Sequence, residues 1–317
     1  MGGWSSKLEV EGKHAYITGG SEGLGLELAK ILAARGAHVT VVSRSEKKLV
    51  KAMGEIKAAA LSEDQKIQFF AADVSSNEES KAALIKAVEA AGVPYFVFPC
   101  AGLARPGYFL EEDHIAIHEH AMRVNYLGTL YTVHAAARLM ASNGVRGHIA
   151  CIGSVISMVS FIGYGSYAPS KAALRSLAEL LRNELKPYGI KIHLFLPAGI
   201  DSPGLVEENK TKPKPTELLE AGDVPQKPDV VAKLLLKGIQ RGQYAITTDI
   251  QGEVFRASTA GTTPWNNYLY DWLFAIIAMI AFTFVRLQGD SYAVQYPYPS
   301  LLPVPEKNGS NASEETV

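Results

Sequence analysis

The sequence predicts a doubly wound α/β fold built on a seven-stranded parallel sheet. Short apolar or β-branched runs alternate with longer amphipathic segments, which is the pattern of repeated strand–helix–strand units. A glycine-rich turn joins the first apolar run to the first amphipathic segment, as in many nucleotide-binding folds. The 317 residues, 47% of them hydrophobic, are enough for one large domain with a sizeable core.

Each element follows from its own stretch of sequence. We expect strands at residues 14–18, 38–43, 67–72, 95–100, 148–153, 191–196 and 244–247. We expect helices at residues 23–35, 46–60, 77–91, 112–141, 165–186 and 229–240. Because doubly wound sheets bind ligands beyond the carboxyl ends of their strands, the residues just past each strand are the candidates for chemistry.

The composition divides the chain into three segments. Residues 1–261 are predicted to form the main domain, residues 262–290 an apolar membrane-associated helix, and residues 291–317 a disordered polar tail. Residues 272–285 carry no charge, but at 1.5 Å per residue they extend only about 21 Å, against about 30 Å for a hydrocarbon core. A span, a shallow insertion and a helix buried in a dimer therefore all remain open.

Several function classes are disfavoured by composition. A net charge of −1 gives no reason to expect a nucleic-acid partner. Cys100 and Cys151 lie in apolar, strand-like runs and are expected to be buried thiols in a reducing compartment. The first fourteen residues lack the apolar region of a signal peptide. Two glycosylation sequons, at Asn308 and Asn311, would carry glycan if the tail were lumenal.

The turn after the first strand predicts a dinucleotide site. Glycines at positions 19, 23 and 25 permit a tight turn and close backbone approach, so that a diphosphate can bind at the helix N-terminus. The second strand ends with Ser43 and Arg44 rather than with a carboxylate. A guanidinium suits a 2′-phosphate, so the sequence favours NADPH over NADH.

A second acidic candidate follows the third strand. Asp73 could accept a hydrogen bond from the adenine amino group, or it could simply cap the following helix. The sequence leaves both roles open.

Four polar residues suggest the catalytic chemistry. Tyr167 and Lys171 are four residues apart at the start of a helix and therefore share a face. An ammonium beside a phenol lowers the phenol pKa, which is otherwise near 10, and makes it usable as a general acid. Ser154 follows the fifth strand, and Asn125 lies within a helix, where asparagine has low propensity. Each residue alone also has an ordinary structural interpretation.

Together these features resemble the short-chain dehydrogenase/reductase family over residues 12–247, which implies a Rossmann-type fold. The resemblance implies that Asn125 supports a structural water and proton relay, and that Ser154 orients a carbonyl. It implies that Tyr167 is the acid or base and that Lys171 holds the nicotinamide ribose. The expected cofactor contacts are Gly19, Ser21, Gly23, Leu24, Gly25, Arg44, Asp73, Val74, Ala101, Gly102, Tyr167, Lys171, Pro197, Gly199 and Ser202.

Two positions depart from the family pattern. Cys100 stands where the family usually has asparagine, before Ala101 and Gly102. Glu22 lies in the glycine turn, where NADPH-dependent members often have a basic residue, which leaves Arg44 as the main phosphate ligand.

The segment 202–222, after the sixth strand, is similar to the 3-ketodihydrosphingosine reductases within that family. Its "PGLVEENKTKP" run carries this resemblance, together with "NYLGTLY", "LKPYGI" and the Cys-Ala-Gly variant. The resemblance implies a long-chain sphingoid base as substrate and membrane lipid as a partner. It also implies an endoplasmic reticulum membrane location with the catalytic domain facing the cytosol, and a homodimer or higher homo-oligomer.

The position of residues 202–222 beyond the sixth strand predicts a substrate lid. Glu207 and Glu208 are candidates to bind the substrate's ammonium. They could equally be part of an ordinary run of solvent-exposed charges. A membrane-associated reductase of steroids, retinoids or fatty acyl chains, and a non-catalytic NADPH-sensing protein, are the alternatives.

Overall fold

The computed structural model of the protein describes residues 8–261 and 263–298. Most of the predicted tail, from residue 299 on, lies outside the described residues. The sequons at Asn308 and Asn311 also lie outside them.

The centre of the molecule is one sheet of seven strands, and every strand pair in it is parallel. The strands are β1 (His14–Thr18), β2 (His38–Ser43), β3 (Ile67–Ala71), β4 (Phe96–Pro99), β5 (His148–Ile152), β6 (Lys191–Leu196) and β7 (Ala245–Thr247). Their spatial order is β3-β2-β1-β4-β5-β6-β7. The order reverses next to β1, between β1 and β4, and a doubly wound sheet binds its ligand at that crevice. The predicted seven-stranded parallel sheet is confirmed.

Eleven α-helices lie within the described residues. They are α1 (Gly23–Ala33), α2 (Glu46–Ala58), α3 (Asn77–Ala91), α4 (His114–Ala121), α5 (Gly128–Ser142), α6 (Tyr167–Glu184), α7 (Pro203–Asn209), α8 (Lys214–Leu219), α9 (Pro228–Gln240), α10 (Ile250–Ala257) and α11 (Tyr268–Gln295). A π-helical turn, Met122–Leu127, joins α4 to α5. Short 3₁₀ turns occupy Val155–Ser157 and Lys186–Tyr188.

Helices cover both faces of the sheet, so the core has two layers. Buried residues of α1, α2 and α9 pack on one face, and those of α3, α5 and α6 pack on the other. Neighbouring strand residues point to opposite layers, as with Ile17 in the first layer and Tyr16 in the second. Burial on both faces explains why apolar residues predominate in the strands.

The C-terminal region differs from the predicted boundaries. The apolar segment forms a 28-residue helix that ends at Gln295, beyond the predicted start of the tail at residue 291. The chain offers no proline between Trp265 and Tyr296, so nothing interrupts the helix before Pro297. With a mean hydropathy of 1.8 over an 18-residue window, α11 has the length and composition of a helix able to cross a membrane.

Candidate active site

A cleft of about 980 Å³ opens along the carboxyl ends of the strands. It is lined by every cofactor contact predicted from the sequence, and by the catalytic candidates Ser154, Tyr167 and Lys171. Asn125 is fully buried and lies behind the cleft wall. The fold therefore gathers these predicted residues, from separate parts of the chain, at one site.

The glycine turn leaves no room for a side chain at Gly19 or at Gly25. Gly19 has a φ of +65°, and a Cβ there would lie 2.6 Å from the backbone nitrogen of Ala101. A Cβ on Gly25 would lie 2.4 Å from the carbonyl oxygen of Gly19. The turn thus places bare backbone at the N-terminus of α1, where amide groups and the helix dipole favour a diphosphate. These residues fit a dinucleotide.

The end of β2 forms the far wall of this part of the cleft. The Ser21 hydroxyl donates to Ser43 Oγ at 3.0 Å, and Arg44 follows with its side chain exposed in the cleft. Glu22 forms an exposed ion pair with Lys48 at 2.8 Å, which offsets its negative charge. The position of Arg44 is suited to a phosphate on the adenosine ribose.

Asp73 has a structural partner in this structure. Its Oδ1 accepts hydrogen bonds from the backbone nitrogen and the hydroxyl of Ser75, at 2.9 Å and 2.8 Å. Partial burial opposes ionisation, but these bonds and the charge of Arg44 lower the Asp73 pKa. The carboxylate therefore shapes the turn before α3 and also faces the cleft, but it does not cap the helix, because the N-cap of α3 is Ser76.

Tyr167 is the first residue of α6, and Lys171 lies one turn further along the helix. The ammonium of Lys171 lies 5.6 Å from the centroid of the Tyr167 ring, on the same helix face. It donates a hydrogen bond to the carbonyl oxygen of Ile152, at the end of β5, at 2.8 Å. This bond fixes the lysine beneath the phenol, so the predicted pair is formed.

The pKa values of this pair differ from the expected direction. Burial lowers the pKa of Lys171 to about 8. Burial raises the pKa of Tyr167, the negative charge of Glu208 raises it further, and a hydrogen bond with Ser154 opposes them. The predicted lowering of the tyrosine pKa is therefore wrong for the chain alone, because burial and the charge of Glu208 outweigh the hydrogen bond with Ser154. A protonated phenol is nonetheless the form that a proton donor requires.

Ser154 and Asn125 support this pair in different ways. Ser154 caps the 3₁₀ turn after β5, with its Oγ accepting from the backbone nitrogen of Ile156 at 3.3 Å. Asn125 accepts from the backbone nitrogen of Leu103 and donates to the carbonyl oxygen of the same residue, both at 2.9 Å. It also donates to Ser170 Oγ at 2.9 Å. Asn125 therefore ties the loop after β4 to α6.

The π-helical turn around Asn125 was not predicted. It interrupts the predicted continuous helix 112–141 at the position where the asparagine faces α6. Such turns are frequently found at functional sites. The low helix propensity of asparagine was the only sign of it in the sequence.

Cys100 faces the cleft where the family usually has asparagine. Burial raises the pKa of its thiol to about 12, although the charge of Lys171 acts in the opposite direction. The thiol therefore stays protonated and is a poor nucleophile at neutral pH.

The other end of the cleft is acidic. Tyr164 Oη lies 2.5 Å from Glu208 Oε1 and 2.6 Å from Glu220 Oε1. Lys212 Nζ lies 3.2 Å from Glu208 Oε1 and 2.6 Å from Glu220 Oε2. We call these four residues the acidic cluster. The ring of Tyr164 is 5.9 Å from that of Tyr167, so the cluster adjoins the candidate proton donor.

Further carboxylates surround the acidic cluster. Glu217, Asp223 and Asp249 also line this end of the cleft. Burial raises the pKa of Asp223, and the negative charge of Glu220 raises it further. This end of the cleft therefore holds more negative than positive charge, which favours a cationic ligand group.

The two glutamates singled out in the sequence have different surroundings. Glu208 belongs to the acidic cluster, and 18% of its side chain is exposed. Glu207 is 70% exposed and pairs at 2.6 Å with Lys210, the residue just after α7. Both glutamates line the cleft, but of the two it is Glu208 that belongs to the cluster next to Tyr167.

The sequence profile of the family described as short chain dehydrogenase matches residues 13–213. A solved short-chain dehydrogenase/reductase from Burkholderia phymatum, in complex with NAD, has the same fold. Its TM-score is 0.68 at 22% identity, over 82% of this chain and 99% of that one. The chain belongs to the short-chain dehydrogenase family and is an oxidoreductase.

Several similar proteins are named for one reductase activity within this family. The 3-ketodihydrosphingosine reductase TSC10 of Cryptococcus neoformans is 41% identical over 90% of this chain and 85% of its own length. The 3-dehydrosphinganine reductase of Danio rerio is 35% identical over 81% of this chain and 77% of its own. The 3-ketodihydrosphingosine reductase of Mus musculus is 34% identical, with the same two coverages.

Proposed function

We propose that this protein reduces 3-ketodihydrosphingosine to dihydrosphingosine with NADPH. The observation that carries the proposal is the acidic cluster next to Tyr167. The substrate is an amino ketone, with its amino group on the carbon next to the keto carbon. The ammonium and the reacting carbonyl are therefore on neighbouring carbons. The carboxylate that binds the ammonium and the proton donor that serves the carbonyl must then lie close together. Relatives that are named for this reaction support the same substrate.

The residues at the other end of the cleft fit NADPH. The bare backbone of Gly19, Gly23 and Gly25 would hold the diphosphate, and Arg44 would hold the 2′-phosphate. When bound, this cofactor supplies the hydride for the keto carbon.

We assign the chemistry of the protein to four side chains. Tyr167 donates the proton to the developing alkoxide, because its raised pKa keeps the phenol protonated. Ser154, which is hydrogen-bonded to Tyr167, orients the keto oxygen. The ammonium of Lys171 stabilises the phenolate that remains and would hold the nicotinamide ribose. Asn125 is a positioning residue, since its amide is engaged by Leu103 and Ser170.

The acidic cluster gives the substrate its orientation. A substrate ammonium beside Glu208 would replace part of the charge that Lys212 now supplies to both carboxylates. The keto carbon would then lie next to Tyr167, because the two tyrosine rings are adjacent. A neutral steroid, retinoid or acyl ketone would bring no cation to these carboxylates and would leave Lys212 as their cationic partner.

The segments have separate roles in this proposal. Residues 1–261 form the catalytic domain, with residues 202–222 as the substrate lid, and residues 262–290 contact membrane lipid. The apolar helix α11 supports a location at the endoplasmic reticulum membrane, and the free thiols Cys100 and Cys151 support a cytosolic orientation. The assembly is a homodimer or a higher homo-oligomer.

The direct experiment is turnover by the purified full-length protein. With NADPH and 3-ketodihydrosphingosine in lipid vesicles, we expect dihydrosphingosine to form. Tyr167→Phe should lower kcat about 10²–10⁴-fold, because it removes the transferred proton. Tyr188→Phe is the matched control, since Tyr188 is 53% exposed at the far end of α6, and it should leave kcat unchanged.

Two results would contradict the proposal. Oxidation of NADPH with a sterol ketone, retinal or a fatty acyl substrate, but not with 3-ketodihydrosphingosine, would assign another lipid. Tight NADPH binding without turnover of any of these ketones would favour a sensing role.

A further inference from the structure

Helix α11 has one continuous face turned toward the rest of the protein. Buried or half-buried positions recur every three or four residues along the helix, and the positions between them are exposed. The recurring positions are Asp271, Phe274, Ala275, Ala278, Ala281, Phe282, Val285, Gly289, Tyr292 and Tyr296. This spacing marks a single stripe of the helix surface, which we call the inner face.

Specific contacts hold the inner face along its length. Asp271 forms a buried ion pair with Arg256 of α10, with both side chains at most 5% exposed. In the middle, the ring of Phe282 packs edge-on against that of Phe255 at 5.1 Å. At the end, the carbonyl oxygen of Tyr296 accepts a hydrogen bond from the Tyr108 hydroxyl at 3.0 Å. The helix is therefore docked from its first turn to just past its last.

This docking is incompatible with crossing a bilayer. Asp271 and Tyr296 are about 38 Å apart along the helix axis, more than the thickness of a hydrocarbon core. A spanning α11 would carry the surfaces it touches into the bilayer. One of them is α8, whose Lys214 and Glu217 are about half exposed. Charged side chains at that depth are strongly unfavourable.

The opposite face of α11 is exposed and apolar. It presents Trp272, Leu273, Met279, Ile280, Phe284 and Leu287, each with 48% or more of its surface exposed. Phe109 and Leu110, next to the Tyr108 that contacts Tyr296, are also more than half exposed. Exposed apolar side chains are therefore present both on the helix and on the neighbouring part of the domain, and a patch of this kind often marks an interaction surface.

The inner face also reaches the active site. Val285 and Gln288 line the cleft, as do Phe255 of α10 and Glu208 of the acidic cluster. The turns of α11 around Val285 and Gln288 therefore contribute to the cleft wall on one side and to the exposed apolar face on the other.

We infer that α11 lies in the plane of a membrane surface, with its outer face inserted among the lipids and its inner face forming the lip of the cleft. An amphipathic helix in this position inserts its apolar face about 5–10 Å into the boundary between headgroups and acyl chains. A lipid with a cationic headgroup can then pass its head over Val285 and Gln288 toward the acidic cluster while its alkyl chain stays in the bilayer. The inferred entry route rests on the proposed function, whereas the in-plane position does not.

The position of the helix can be tested by depth measurement. Single cysteines replace Trp272, Met279 and Leu287 on the outer face, and each carries a fluorophore in full-length protein bound to phosphatidylcholine vesicles. Quenching by lipids brominated at known chain depths should place all three labels at one shallow depth. The unsubstituted protein gives the background from Cys100 and Cys151.

Two results would overturn the in-plane position. Depths that change steadily from residue 272 to residue 287 would mean that the helix crosses the bilayer. The second result is that the labels are shielded from both water and lipid and that the protein is a dimer which Met279→Asp dissociates. That result would mean that a second copy of the chain covers the outer face.

The lip is tested with two valines of the same helix. Val285→Trp narrows the cleft entrance, and Val294→Trp, on the outer face with 83% of Val294 exposed, is the matched control. For 3-ketodihydrosphingosine in vesicles, Val285→Trp should raise KM about tenfold or more, while Val294→Trp should not raise it. For a short-chain, water-soluble 2-amino ketone, Val285→Trp should raise KM much less than it does for 3-ketodihydrosphingosine, and Val294→Trp should match the parent protein.

The outcomes separate the two proposals. Equal losses with the short and long ketones in Val285→Trp would overturn the entry route but leave the proposed reaction standing. Absence of turnover with either ketone in the parent protein would end the proposed function, and the depth measurement would still decide the position of α11.

Discussion

The two ends of the cleft are built from different kinds of contact. At the cofactor end, backbone meets backbone, and Gly19 and Gly25 each lie too close to a neighbouring main chain for any side chain. At the substrate end, side chains meet side chains, as Tyr164, Glu208 and Glu220 do. The first end is therefore sensitive to added atoms, whereas the second is sensitive to changes of charge.

The contrast indicates which part of the molecule sets specificity. The close-packed backbone around Gly19 and Gly25 accepts a ligand of one shape, and few substitutions there can change which ligand fits. A cluster of charged side chains in and beside the short helices α7 and α8 can be altered residue by residue without disturbing the sheet. We therefore expect substitutions at the cofactor end to abolish binding and substitutions at the substrate end to redirect it.

The largest effect should come from Gly19→Ala. The new Cβ overlaps the backbone of Ala101, and the φ of +65° is strained for alanine. We expect NADPH affinity, measured by fluorescence titration, to fall about 100-fold or more, which corresponds to about 2.7 kcal/mol.

Gly54→Ala is the control for that substitution. A Cβ there meets nothing within 4 Å, and the residue lies inside α2. It should leave NADPH affinity unchanged and raise the unfolding free energy by up to about 1 kcal/mol. Equal NADPH affinity in the two variants would contradict the steric account of this end.

A smaller effect is expected for Arg44, at the edge of the cofactor end, where a side chain contributes to cofactor binding. Arg44→Ala removes the charge assigned to the 2′-phosphate, and a charge-assisted hydrogen bond is worth about 1.5–3 kcal/mol. We expect kcat/KM to fall about 10–100-fold with NADPH and to change little with NADH. Lys47→Ala, an exposed change in α2 outside the cleft, should alter neither value. Equal losses with both cofactors in Arg44→Ala would refute NADPH selection by this residue.

Lys171 lies where the two ends meet, and its effect should appear as a pH dependence. Burial lowers its pKa to about 8, so the ammonium is charged below that pH and neutral above it. We expect kcat/KM to decline about tenfold per pH unit above pH 8, because the phenolate of Tyr167 loses its cation. Residual activity of Lys171→Arg should lack this decline, since arginine remains charged. An unchanged midpoint in Lys171→Arg would assign the titration to another group.

The cofactor end was predictable from the sequence because its signals are local. The strand, glycine turn and helix are consecutive, and β1, β2 and β6 have the predicted bounds. Tyr167 and Lys171 could be paired for the same reason, since helical geometry fixes residues four apart.

The substrate end was largely hidden because its contacts join distant residues. Tyr164 meets Glu208 and Glu220 across 44 and 56 residues, and no local pattern indicates such pairs. The docking of α11 had one visible sign. Asp271 is a lone carboxylate at the start of an apolar helix, and a buried charge there requires a partner, which is Arg256.

The acidic cluster should favour an amino ketone over the same ketone without its amino group, and a ratio of two kcat/KM values measures that preference. The measurement compares kcat/KM for 3-ketodihydrosphingosine with that for its analogue without the amino group. Glu208→Gln keeps the shape of the side chain and removes its charge, so the preference for the amino ketone should fall about tenfold or more. Glu207→Gln, at the 70% exposed neighbour, should leave the preference unchanged. An undiminished preference in Glu208→Gln, or an equal fall in both variants, would contradict the account.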